Sequence, residues 1–245
     1  MTRRALTDVN VYLGEWPFRR LPCRTPRRLV AEMDRWGVKR AWVSSLDAVF
    51  RSEYLDCYEE LVRRVRQVGP VGRRLQPALT LDPSYPGWEE DLAGALSIAK
   101  PVAVRLHPNY HGYALTDPPA LELLRRATKV NLPVLVAARL QDERLHHPAC
   151  QVPAVPVKQI IEAKRRVRGL RLIATMVRAA EAETLLGTRG ISCDISGCQQ
   201  RAVVGKLTAR FGTERVLFGS GYPLQYLHTA MRVAQDATLT TIRGS

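Results

Sequence analysis

An α/β barrel of eight parallel strands ringed by helices is the fold class that this 245-residue sequence predicts. Three observations predict it. Short apolar runs of buried-strand length recur eight times, amphipathic helical patterns fill the intervals, and the length is close to the ~250 residues of a closed (β/α)8, TIM-type barrel. Strands that alternate with helices call for parallel pairing through crossover connections. An open doubly wound sheet is the alternative, but no glycine-rich phosphate turn follows the first strand. No linker or low-complexity stretch interrupts the pattern, so residues 1–245 are read as a single domain.

The first strand is read at 6–13, where apolar and polar residues alternate. Thr25 then caps a helix with Pro26 at its first position, which ends before Gly37. Residues 40–45 form the second strand, and 54–68, with an apolar stripe at three- and four-residue spacing, the second helix. Strand three is read at 75–81, with a helix over 88–99, and strand four at 102–106. Asp117 followed by two prolines marks a capped helix over 119–130. Strands at 132–138, 170–177, 190–195 and 215–220 complete the set, with helices over 157–166, 179–186 and 200–211 between them. The eighth helix is expected to be short, giving a compact barrel that closes incompletely at its C-terminal end, leans on a second copy in a homo-oligomer, or is a truncated product.

A net charge of +14 raises nucleic-acid binding as a function. Only six of the 37 basic residues are lysine, however, and the arginines are scattered over helical faces such as 61–66 and 162–168. No helix-turn-helix, zinc finger or aromatic-basic platform is present, so specific nucleic-acid recognition is set aside. Salt-dependent adhesion to polyanions remains as a by-product of charge. No apolar run approaches the ~20 residues that span a bilayer. The basic opening residues lead into no signal-peptide core. No membrane partner is expected, and the cytoplasm is the expected address. The five dispersed cysteines read as reduced thiols there.

Four of the five histidines lie in two clusters, His107 with His111 and His146 with His147. Each cluster directly follows a buried-strand run, and polar groups just past the C-terminal ends of barrel strands are where such folds keep their chemistry. His107 titrates near neutrality and is a candidate general acid or base. A strand-end histidine bonded to a loop carbonyl is the structural alternative. Arg105 and Arg139 are candidate clamps for an anionic substrate, because the guanidinium fork matches a carboxylate. Asn109, with Tyr110 and His111, lines the expected pocket mouth or forms a turn ending at Gly112. Asp142 is a candidate acid or metal ligand, near Glu143 and Arg144 of a salt-bridged loop. Adjacent histidines diverge on any regular backbone, so His146 alone is the candidate to join Asp142 in a relocated metal site. Asp194 is a candidate acid at the barrel top, or a buried carboxylate bonded to a neighbouring strand. Residues 15–19 are placed to cover the pocket.

The segments Asp8-Val-Asn-Val-Tyr-Leu-Gly14, Arg105-Leu-His-Pro108, Leu132-Pro-Val-Leu-Val136 and Arg215-Val-Leu-Phe-Gly-Ser-Gly-Tyr-Pro223 resemble the amidohydrolase superfamily, in its amidohydrolase-related branch of metal-dependent hydrolases and decarboxylases. The resemblance runs from about residue 7 to 243. It implies a barrel enzyme with zinc or manganese, held by His-x-His on the first strand, histidines on the fifth and sixth, and an Asp on the eighth. Here those positions carry Asn10 and Tyr12, Ala137, no histidine within 174–177, and Gly221. A catalytic metal takes about three protein ligands and an open position. Asn10 and Tyr12 are poor neutral ligands and Ala137 and Gly221 are none, so no metal is expected at the usual positions.

The expected function is therefore that of an amidohydrolase-related hydrolase acting on a small, anionic molecule, with a degenerate or relocated metal site at Asp142 and His146. His107, Asp194 and Asp142 are its expected catalytic groups. Asn10, Tyr12, Arg105, Asn109 and Arg139 are its expected substrate contacts. The alternatives are a catalytically inactive barrel that binds a ligand or serves as a subunit, and a metal-independent lyase.

Overall fold

The computed structural model describes residues 6–198 and 200–235. Its strands are β1 (Thr7–Leu13), β2 (Arg40–Ser45), β3 (Leu75–Pro77), β4 (Leu79–Thr80), β5 (Val104–Leu106), β6 (Val134–Ala137), β7 (Leu172–Thr175), β8 (Ile191–Asp194) and β9 (Val216–Leu217). Every strand pair is parallel, in the orders β1-β2-β3 and β4-β5-β6-β7-β8-β9. The run predicted as one third strand is divided at Ala78. The Ala78 amide donates back to Val43 O at 2.8 Å, whereas that of Leu79 donates forward to Ala103 O at 3.0 Å. The same stretch of chain thus leaves β2 and joins β5. At the other seam, Val9 N–H donates to Phe218 O (3.0 Å), Gly221 N–H to Asn10 O (2.8 Å) and Tyr12 N–H to Tyr222 O (2.8 Å). Backbone bonds therefore cross both seams between the two sheets.

The helices are α1 (Pro26–Trp36), α2 (Tyr54–Arg66), α3 (Trp88–Ile98), α4 (Pro108–His111), α5 (Pro118–Lys129), α6 (Val157–Arg166), α7 (Ala179–Leu186), α8 (Arg201–Phe211) and α9 (Leu227–Gln235). α1 forms as its sequence dictates. Thr25 accepts from Arg28 N–H, Gly37 ends the helix at φ 74°, and Leu29, Val30 and Met33 give it a buried stripe. Asp117 departs from its expected part: its carboxylate turns back to accept from Ala114 N–H at 2.8 Å and makes no helix cap. The expectation of a shortened C-terminal end falls beyond residue 235, outside the described residues. No helix among the described residues is long and apolar enough to cross a membrane.

Strand alternation divides the core in two. Outward-facing Val11, Val43, Val104, Leu106, Val134, Val136, Leu172, Ala174 and Val216 pack under the helices. Inward-facing Val9, Trp42, Ala78, Ala103, Leu135, Ile173 and Leu217 form an apolar floor inside the barrel. Two residues further along the strands, or one on β1 where the register shifts, the interior turns polar: Asn10, Ser44, Thr80, Arg105, Thr175 and Asp194 are all buried. That polar layer lies at the C-terminal ends of the strands, where barrels of this kind place their sites.

Candidate active site

Arg105 is the hub of the polar layer and has no exposed surface. From β5 it reaches three other strands. Its Nε donates to Ser44 Oγ of β2 at 2.7 Å. Its Nη1 donates to Asn10 Oδ1 at 3.0 Å and Tyr12 Oη at 2.8 Å, both on β1, with Thr175 Oγ1 of β7 at 3.4 Å. The guanidinium also lies 4.7 Å from the centre of the Tyr12 ring. Asn10 passes the connection on, donating through Nδ2 to Asp194 Oδ2 at 2.7 Å. Asp194 accepts in addition from Met176 N–H (2.9 Å) and Ser196 Oγ–H (2.7 Å). A buried cation is tolerable only when its donors and its charge are answered. Here four side-chain acceptors answer the donors, and Asp194 answers the charge through one bridging amide. Burial raises the Asp194 carboxyl, against the bonds from Ser196, Met176 and Asn10 and the charge of Arg105.

Beyond Arg105, toward the mouth, lies His107, also fully buried, with neither ring nitrogen bonded to any protein group. Its ring is 5.8 Å from that of His111 and 6.1 Å from that of Tyr12. His111 likewise has no partner on either nitrogen, and its Nδ1 lies 3.9 Å from Asp82 Oδ2. Tyr113 Oη and Thr80 Oγ1 are buried and unpartnered as well. Burial drives His107 well below the ordinary histidine range, and the nearby charges of His111 and Arg105 push the same way. His107 is therefore a neutral imidazole at physiological pH. Buried polar atoms without protein partners are rare in native folds and mark places where a further hydrogen-bonding group docks.

Aromatic side chains from four loops roof this chamber: Trp16 and Phe18 after β1, Phe50 after β2, Tyr110 after β5 and His147 after β6. Trp16 stands 5.3 Å from Phe50 and 5.7 Å from Phe18, Phe50 stands 6.0 Å from Tyr110, and Phe18 stacks on His147 at 5.2 Å. Tyr12, Leu46, Val49, Ala137, Leu140 and Leu224 pack beneath. Trp16 and Phe18, from the segment 15–19, are two of these five rings.

The remaining expected site residues are dispersed. Arg139 is buried, but its fork closes on the protein's own Glu181, with two bonds of 2.7 Å, and on Met176 O. That internal pair occupies the geometry expected for a substrate carboxylate. Asp142 sits at the rim, chelated by the Arg144 guanidinium at 2.9 and 2.7 Å, which holds its carboxyl far below the usual range. Asn109 donates to Pro153 O at 2.5 Å, tying the β5 loop to the β6 loop. It lies in the short helix α4, and only Gly112 adopts the left-handed backbone expected of that turn. His146 accepts from Val152 N–H through Nδ1.

Neither the usual nor the relocated positions fit a divalent metal. The side-chain oxygens of Asn10 and Tyr12 are both engaged by Arg105, so an ion there would share them with a guanidinium. Ala137 and Gly221 bring no donor. Asp142 is bound by Arg144, and among the described residues no group of three or more His, Cys, Asp or Glu is arranged to hold an ion.

No family model matches the sequence, and no curated protein matches it. Solved structures do. A 5-carboxyvanillate decarboxylase from Sphingomonas paucimobilis superposes with TM-score 0.71 at 14% identity, over 96% of each chain. A dihydroxybenzoic acid decarboxylase from Polaromonas, holding manganese and the inhibitor 2-nitroresorcinol, gives TM-score 0.71 at 12% identity, over 97% of this chain and 92% of that one. A probable 2-pyrone-4,6-dicarboxylic acid hydrolase from Acinetobacter baumannii with bound citric acid gives TM-score 0.64 at 13% identity, over 95% and 92%. The chain has the α/β-barrel fold of these enzymes.

Within this barrel, the residue pattern singled out Arg105, His107 and Asp194 and the family resemblance Asn10 and Tyr12; folding links Arg105, Asn10, Tyr12 and Asp194 in one bonded network and leaves His107 just beyond it. Ser44, Thr175, Thr80 and Ser196 were missed. Their only signal was strand alternation, which places Ser44 and Thr175 on the inward face. Glu181, 42 residues from Arg139, carried no signal at all.

Two consequences of this layer are measurable. Asp194 leaves no room opposite it: a Cβ on Gly219 would come within 2.4 Å of Asp194 Oδ2 and 2.7 Å of its Cβ. Gly219→Ala is expected to lower stability by about 1–3 kcal/mol in urea unfolding. Asp8, bonded to the amides of Asn10 and Ser220 at 3.1 and 3.0 Å, is raised by burial to about 7. The folded state thus holds this proton more tightly than the unfolded chain does. The group's stabilising contribution is complete below about pH 4 and is lost as the pH climbs to 7. Melting Asp8→Asn across pH 4–8 is expected to show a shallower loss of stability with rising pH than the parent protein. Parallel curves would refute a buried, protonated Asp8.

Proposed function

We propose that this barrel is an enzyme that cleaves a small aromatic or ring-bearing carboxylic acid, by decarboxylation and without a metal. The observation that carries the reading is His107, a fully buried imidazole with both nitrogens unpartnered at the C-terminal end of β5, next to a buried arginine. The positive potential of Arg105 favours a carboxylate nearby, and the aromatic roof suits a flat ring. When the bond between ring and carboxyl carbon breaks, carbon dioxide leaves and the electron pair stays on the ring carbon, which must gain a proton. His107, a neutral imidazole, takes up the proton of the bound acid's own carboxyl group and returns it to the ring carbon, so that the acid leaves as carbon dioxide and the protonated ring. The aromatic cover above His107 favours this reaction over hydrolysis, because it leaves little room for an attacking water. The similarity of the fold to decarboxylases of aromatic acids supports the same substrate class.

The test is turnover of 2,6-dihydroxybenzoate, 5-carboxyvanillate and 2-pyrone-4,6-dicarboxylate in metal-free buffer, followed by ring absorbance and carbon dioxide release, with calorimetric binding in parallel. Carbon dioxide release from an aromatic acid supports the reading. Binding without turnover would replace the enzyme with a ligand-binding barrel, and neither binding nor turnover would remove the substrate class.

A further inference from the structure

We infer that the guanidinium of Arg105 is a built-in cation that stands where a barrel of this fold would otherwise hold a divalent metal. The inference rests on the reading of this mouth as the ligand site, but not on which reaction occurs there. Three facts carry it. First, the side chains that Arg105 Nη1 contacts lie on β1 and β7, two of the strands whose ends would present metal ligands, while Nε is anchored on Ser44 of β2. Nη1 alone touches Asn10 Oδ1, Tyr12 Oη and, at longer range, Thr175 Oγ1. Second, those acceptors are all neutral. An oxygen of Asn, Tyr or Thr answers an N–H donor well, but three neutral oxygens make a weak set for zinc or manganese, which favour charged or imidazole ligands. Third, the one carboxylate of the layer, Asp194, is not in contact with the cation. Asn10 stands between them, accepting from Arg105 through Oδ1 and donating to Asp194 through Nδ2. The one charged oxygen group of the layer is thus held one amide away from the cation, whereas a divalent metal favours charged or imidazole ligands in direct contact.

The consequence is a site whose positive charge cannot dissociate, be chelated or exchange. Arg105 acts by its field and by rigidity. Its Nη2 makes one long contact, 3.5 Å to Val9 O on the floor side, while Nε and Nη1 are held by side chains of the neighbouring strands.

The test needs only the unaltered protein, purified without chelator and without metal affinity resin. Metal content is measured by inductively coupled plasma mass spectrometry. The Tm is then followed with EDTA, and with manganese or zinc added. Manganese binding is read separately by electron paramagnetic resonance. We expect substoichiometric metal, a Tm unmoved by EDTA or by either ion, and an unperturbed spectrum of free manganese. A metal held at a hundred times its Kd would raise the Tm of a chain this size by roughly 5–10 °C. Near-equimolar zinc or manganese in the purified protein, with a Tm that falls on chelation, would overturn the inference. That outcome would leave a decarboxylase reading standing in metal-dependent form. Failure of turnover in the substrate panel would leave the built-in cation untouched.

Discussion

Arg105→Met is expected to lower the free energy of unfolding by about 3–5 kcal/mol, the usual cost of removing one member of a buried charged network. Methionine roughly fills the volume but donates nothing. Asn10 Oδ1, Tyr12 Oη and Ser44 Oγ then lose their donor together, and Asp194 keeps its burial without a compensating cation. For a domain of this length the Tm should fall by roughly 6–20 °C. Arg105→Lys keeps the charge and part of the donor set, and should lose distinctly less. Calorimetric melts of both variants decide the matter. A methionine variant that melts within about 2 °C of the parent protein would show that the network contributes no net stability.

His107→Asn is expected to behave in the opposite way, with a large effect on turnover and a small one on stability. Loss of a general acid–base group typically lowers rates by about 10²–10⁴-fold. The His107 ring makes no hydrogen bond to the protein, so its replacement breaks none. Its influence on stability is through pH. The folded state holds it neutral while the unfolded chain protonates near 6.5, so the parent protein loses stability from this group as the pH falls below that value. The asparagine variant should therefore lose less stability than the parent between pH 7 and pH 5. A kcat unchanged within threefold (a factor of about 3) would remove His107 from the chemistry, and an unchanged acid limb would show that the ring is not held neutral.

The wall of the barrel was readable in the sequence because burial on both faces makes a parallel strand an unbroken apolar run. Even so, residues 75–81 read as one strand when the chain changes partners at Ala78. A partner change is a tertiary event, and its only local trace is Pro77, which lacks an N–H for the ladder. Asp117 shows the opposite failure. Its position and the prolines after it signal a helix cap, yet the carboxylate found a nearer donor at Ala114. At the site, a residue was legible when its type was unusual for a strand, as with Arg105 and Asp194, while Asn10 stood out only against the family resemblance. Serines and threonines doing the same work are common on strands and passed unremarked. Arg139 illustrates the limit most clearly. A guanidinium at the end of a strand is recognisable as a carboxylate binder, but nothing in the spacing tells whether that carboxylate is a ligand's or, as with Glu181, the protein's own.

The roof has a kinetic consequence. Its rings are anchored on four separate loops, so no single flap can swing aside to admit a guest. Entry requires four segments to yield in concert, and so does departure. Association should then be governed by the frequency of that joint opening and not by diffusion, well below the ~10⁵–10⁷ M⁻¹s⁻¹ of preformed protein surfaces. A molecule once inside should stay long, whatever its affinity. The protein would trade speed of exchange for isolation of its occupant.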